Sequence, residues 1–134
     1  MLLATSFGDA TRILPQLATL PVSLVGIDVA AALGREDGRE AATRLGSVLS
    51  EALPRGVGLL LGVVDGRNTR LEDPEDVFES RLRPILEELR AFGSPPRDVH
   101  LAPNHGLEFL PRDTARAKMT ILAAVCSRAR TVFA

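Results

Sequence analysis

The feature that most constrains this chain is a set of four short apolar runs whose hydrophobic character is continuous rather than alternating. They are LLATS at 2–6, SLVGIDV at 23–29, GLLLGVV at 58–64 and DVHLA at 98–102. A strand with one wet face alternates apolar and polar residues, whereas a strand covered on both faces does not. Helix-like segments separate the runs, so the chain reads as four βα units feeding a parallel sheet. With 134 residues, 46% of them hydrophobic and 25% charged, there is material for one core, and 1–134 is read as a single unit.

The best-marked helix follows LEDPEDVFESRLRPILEELRAFG. Asp73 is suited to cap it, Pro74 to open it, and Glu75 and Asp76 to face the positive end of its dipole. Val77, Phe78, Leu82, Ile85, Leu86 and Leu89 form an apolar stripe at helical spacing, and Gly93 ends it. Pro84 falls inside this span and predicts a kink, because it lacks a donor and crowds the preceding turn. A last helix near 112–130 places Met119, Leu122 and Val125 or Cys126 on one buried face, with Asp113 among the candidate caps. Helices near 11–20 and 39–53 are interrupted by Pro15 and Gly46.

Several function classes are excluded early. Sixteen basic against seventeen acidic residues leave a net charge of -1, with no basic block, which argues against nucleic-acid binding. The single cysteine, Cys126, has no internal partner, as in proteins of a reducing compartment. The longest apolar run, 56–64, falls short of the roughly 20 residues of a membrane helix. The start, MLLATSFGDATR, lacks a basic region and meets Asp9 too early for a signal peptide. These features read as a soluble cytoplasmic protein without membrane association.

In parallel α/β folds, ligands bind beyond the carboxyl ends of the strands. Those ends are Phe7-Gly8-Asp9, Asp28, Asp65-Gly66-Arg67-Asn68 and Pro103-Asn104-His105-Gly106. Asp9 reads as a helix cap, and Asp28 as either a cap or a ligand contact. The DGRN stretch is either an ordinary Asp-Gly turn or a site built on Arg67, whose planar fork suits carboxylates and phosphates. His105 is read as a turn residue or, less simply, as a metal ligand. The chain has no phosphate-cradling glycine loop, dinucleotide fingerprint, paired helical histidines or serine elbow.

At these loops the sequence resembles the cobalamin-independent methionine synthase family. LATSFGDATRILPQLATLPVSLVGIDV, LLLGVVDGRNTRLEDPEDV and PPRDVHLAPNHGLEFLPRDTARAKMTIL follow one another as in the second half of that family's barrel domain. The resemblance implies an α/β fold, the (βα)4 half of a (βα)8 TIM barrel, with outer helices. It also implies kinship with 5-methyltetrahydropteroyltriglutamate–homocysteine S-methyltransferases, which move a methyl group from a folate polyglutamate to homocysteine. The family's zinc ligands are His-x-Cys, Glu and the Cys of a Pro-Asp-Cys-Gly-Leu motif. Their slots here hold Thr5-Ser6-Phe7, Asp28 and His105. Only Asp28 and His105 remain as potential ligands, and zinc sites take roughly three or more from protein, so zinc is expected only if a partner supplies the rest.

FGD and DGRN are closer to the family's N-terminal barrel, which binds no zinc and helps hold the folate. The resemblance therefore implies substrate-binding roles for Asp28, Asp65, Arg67, Asn68, Asn104 and His105, with no catalytic residue assigned, and methyltetrahydrofolate polyglutamate as a substrate. Four parallel strands leave two edges unpaired, so the expected partner is a second copy or a separately encoded first half. The alternative is a self-associating half-barrel that binds or scaffolds without catalysis.

Overall fold

The computed structural model describes every residue except Phe7, Ala18, 34–37, Ser94 and Ala134. Its four strands are β1 (Leu2–Ala4), β2 (Leu24–Asp28), β3 (Gly58–Val64) and β4 (Val99–Pro103), close to the four apolar runs. All pairings are parallel, and the order across the sheet is β1-β2-β3-β4. The chain is thus α/β, and each strand lies beside the next one in sequence.

Because side chains alternate across a strand, the register assigns the two faces. Val25 pairs with Leu59, Ile27 with Leu61 and Leu61 with Leu101. This set faces the helices, and Val25, Ile27, Leu59, Leu61 and Val63 are buried there. The opposite face carries Leu2, Leu24, Leu60 and Ala102, all only partly covered or exposed. Both-sided burial, expected from the continuous apolar runs, is met on the helix side of β2 and β3 and only in part on the opposite face, where Gly26, Asp28 and Gly62 are buried but Leu24 and Leu60 are not.

The helices are α1 (Leu14–Leu17), α2 (Val29–Leu33), α3 (Gly38–Ala52), α4 (Pro74–Asp76), α5 (Arg83–Ala91) and α6 (Arg112–Phe133). The segment expected to be helical over 11–20 is instead a 3₁₀ turn, Thr11–Ile13, followed by the single turn α1. Pro15 lies in that first turn, and Thr19 and Leu20 close a turn back onto Gln16 and Leu17. Asp9 accepts from Thr11 N–H at 2.9 Å, which opens the 3₁₀ turn. Asp73 caps α4 as expected, accepting from Glu75 and Asp76 N–H at 2.9 and 3.0 Å. The kink expected at Pro84 is corrected to a wider π-helical stretch over Val77–Leu82, a widening that accommodates the missing donor and the ring. Gly93, at φ +73°, ends α5 in the left-handed conformation that glycine adopts without steric penalty.

Gly46 does not interrupt α3. It is where α3 meets α5: a Cβ there would lie 2.7 Å from Glu88 Cβ and 3.1 Å from Ile85 Cα. The absent side chain lets the two helices pack closely, with Leu45 and Leu49 on one side and Ile85 and Leu89 on the other, all buried. On α6 the expected stripe holds at Leu122 and Val125 but not at Met119. Lys118, Leu122 and Val125 are buried, while Met119 is exposed, so its expected core position is corrected. The cause is Lys118 itself, whose ammonium is neutralised inside. Among the described residues no helix is long and apolar enough to cross a membrane.

Candidate functional site

The carboxyl ends of β2, β3 and β4 bring Asp28, Asp65, Arg67 and Asn104 into one hydrogen-bonded cluster, with Asn68 attached to it. Asp28 ends β2 and is almost fully buried. Its Oδ1 accepts from Ala31 N–H at 2.9 Å, capping α2, and from Asn104 Nδ2 at 3.0 Å. Asn104 in turn accepts from Gly66 N–H at 2.8 Å through Oδ1. One buried amide thus ties the end of β2 to the loop after β3. Gly62 leaves the room for it, since a Cβ there would lie 2.7 Å from Asn104 Cα. The loop after β4 lies close as well: a Cβ on Gly66 would meet the His105 carbonyl oxygen at 2.5 Å.

Asp65 organises the loop itself. Its Oδ1 accepts from Arg67 N–H and Arg67 Nε, both at 3.0 Å, and its Oδ2 accepts from Asn68 Nδ2 at 2.7 Å. Partial burial pushes the Asp65 carboxyl up. The Arg67 backbone N–H, the Arg67 guanidinium and the Asn104 amide more than offset this, and hold it below the ordinary carboxylate value. The Arg67 guanidinium is raised by its bond to Asp65, against some desolvation, with the charge of Asp28 adding to the effect. The turn reading of DGRN is therefore correct for Asp65, and the same turn aims Arg67.

Arg67 is held along one edge only. Nε is used by Asp65, and Nη1 lies 3.6 Å from Asp28 Oδ2, an ion pair beyond hydrogen-bond distance. Among the described residues neither Nη atom donates a hydrogen bond, and 32% of the side chain is exposed. Asp28 Oδ2 is buried and likewise accepts no hydrogen bond. The two Nη groups of Arg67 thus keep donor capacity for a ligand, while Asp28 Oδ2 beside them is closed off from solvent.

Sequence reasoning missed the support beneath this loop. Glu72 Oε1 accepts from Asp65 N–H at 2.7 Å, and its Oε2 accepts from the fully buried Lys118 at 3.0 Å. Lys118 also donates to the Arg70 carbonyl at 2.6 Å. A charged residue on the apolar stripe of the last helix, three positions before Ile121, was the available signal.

The residues present do not fit the family's zinc. Asp28 Oδ1 is committed to two N–H donors and its Oδ2 faces a guanidinium, which opposes a second cation. Thr5 donates through Oγ1 to the Gly26 carbonyl at 2.9 Å, and Phe7 lies outside the described residues. No group of three or more His, Cys, Asp or Glu side chains gathers as a metal site among the described residues.

No protein-family profile matches the chain, and no solved structure matches it. Over 80 residues it is 38% identical to a 5-methyltetrahydropteroyltriglutamate–homocysteine methyltransferase of Paraburkholderia phytofirmans. The matched stretch covers 60% of this chain and 9% of that protein, so the chain spans a small part of the relative's length. The chain is similar, in part, to a methionine synthase.

Proposed function

We propose that this chain is a half-barrel of methionine-synthase type, whose strand-end loops bind substrate for folate-dependent methyl transfer to homocysteine together with a second half-barrel. The unreversed strand order supports the fold. In a (βα)8 barrel successive strands are neighbours and all helices lie outside. A doubly wound sheet instead reverses its order at a switch point. The partial likeness to a homocysteine methyltransferase supports the chemistry.

The observation that carries the site is Arg67, fixed through Nε while neither Nη atom donates a hydrogen bond among the described residues. A ligand carboxylate can take those two donors side by side, in the fork geometry that lysine cannot reproduce. Asp28 and Asp65 outweigh Arg67 by one charge, so the local field does not draw a plain anion. Directional bonds must hold it. An amino acid meets both needs, with its carboxylate on Arg67 and its ammonium toward the partly exposed Asp65 carboxylate. The glutamate tail of methyltetrahydrofolate meets the first only.

Isothermal calorimetry with homocysteine and with methyltetrahydrofolate triglutamate tests this on the wild-type chain and Arg67→Lys. Binding of either ligand, weakened about tenfold by the substitution, is the expected result. Equal affinities remove Arg67 from the site. No binding by either protein leaves the non-catalytic scaffold as the better reading.

A further inference from the structure

We propose that the second half-barrel is another copy of this chain, docked so that β4 of each copy pairs with β1 of the other. This rests on the half-barrel reading above but not on any ligand or reaction. Its readout is a mass, which stands or falls independently of substrate binding.

Both edges of the sheet are open among the described residues, and they are the two ends of one unreversed parallel array. A two-fold axis along the strand direction brings β4 of one copy beside β1 of the next with the strands still parallel. The same rotation satisfies the other edge. Two sets of four strands then form eight, the number at which a barrel closes on an interior just filled by side chains. Such a dimer leaves no edge exposed, which a single copy cannot achieve.

The distribution of exposed apolar side chains points to the same surfaces. Leu2, Ile13 and Leu20 are exposed in the first βα unit, and Val99, Phe109 and Met119 in the last, against Val48, Leu71 and Phe92 among the described residues between them. The two edges also differ in shape. Beside β4, an apolar groove of about 630 Å³ lies between α5 and α6, with Val99 and Leu101 on β4 and Leu86, Met119 and Cys126 on the helices. In the turns that follow β1, Ile13 and Leu20 are exposed. The groove and these side chains belong to the last and first βα units of the same chain, so a two-fold interface can bring one against the other. A net charge of -1 sets little repulsion between copies. Closure also places the partner's strand-end loops around the same mouth as Arg67.

Sedimentation equilibrium of the wild-type chain is expected to give twice the 14.4 kDa chain mass. Ile13→Lys and Met119→Lys change side chains that are exposed in the single copy, so each is expected to leave the circular dichroism spectrum unchanged and to give the mass of one chain. Ile13→Asn and Met119→Asn serve in the same way if a lysine variant misfolds. The discriminating sample is an equimolar mixture of the two variants. In β4-to-β1 docking one of its two interfaces is free of either substitution, so the mixture is expected to regain dimer that neither variant forms alone. A wild-type monomer, a dimer indifferent to both substitutions, or a mixture that stays monomeric would each overturn the proposal.

Discussion

Arg67 and Asp65 hold each other in place, and their mutual dependence is measurable. Removing the guanidinium with Arg67→Met takes away two of the interactions that hold the Asp65 carboxyl low, so its titration midpoint should rise, as followed by carboxyl-carbon NMR. Because the folded value lies below the ordinary 3.8, the deprotonated form is favoured in the fold. The resulting stability is present above the unfolded value and is lost as pH falls through the folded one. Wild-type chain should therefore lose more stability on acidification below about pH 4 than Arg67→Met does.

Beneath the loop, Lys118→Met leaves the largely covered Glu72 without its cation, and since breaking a fully buried pair from one side costs about 3–5 kcal/mol, the loss should approach the lower end of that range. Adding Glu72→Gln should recover part of that loss in urea unfolding, since the amide oxygen can still accept from Asp65 N–H. Gly62→Ala acts on the site in another way. Its Cβ would meet Asn104 backbone, which has little freedom to move, so the Asp28–Asn104–Gly66 tie should break and ligand binding fall more than stability does.

At the scale of elements, Gly46→Ala sets two effects against each other. Alanine favours a helix interior over glycine by about 1 kcal/mol. Overpacking a close contact costs about 1–3 kcal/mol, and the Cβ would lie 2.7 Å from Glu88 Cβ. The steric term wins, and thermal unfolding should show a lower midpoint for the variant.

This position also shows why sequence reading is uneven. A glycine in a helical run looks like an interruption until the partner helix, 39 to 42 residues further on, is known to cross there. The four strands were legible because continuous apolar runs have few other interpretations, and the Asp73-Pro74 start because capping is local. The helix α2 was not legible, since it begins at Val29 within the apolar run of β2. Lys118 escaped because a lysine on a helix ordinarily faces water, and only the fold brings Glu72 to it. The strand ends pointed to Asp28, Asp65, Arg67, Asn68 and Asn104, but their mutual bonds depend on the register of three strands and could not be read from the chain.

For the molecule as a whole, an α/β sheet with one partly covered face and, among the described residues, two open edges places its polar cluster at the carboxyl ends of the strands and its apolar groove on the outer side, beside β4. These two places make distinct claims on a ligand. A titration of ¹⁵N-labelled chain with homocysteine and with methyltetrahydrofolate triglutamate, followed by amide shifts, separates them. Saturable shifts concentrated at Ala31, Gly66, Arg67, Asn68 and Asn104, abolished in Arg67→Met, are the predicted result. Shifts confined to Leu86, Val99 and Cys126, or none at all with a folded spectrum, would contradict it.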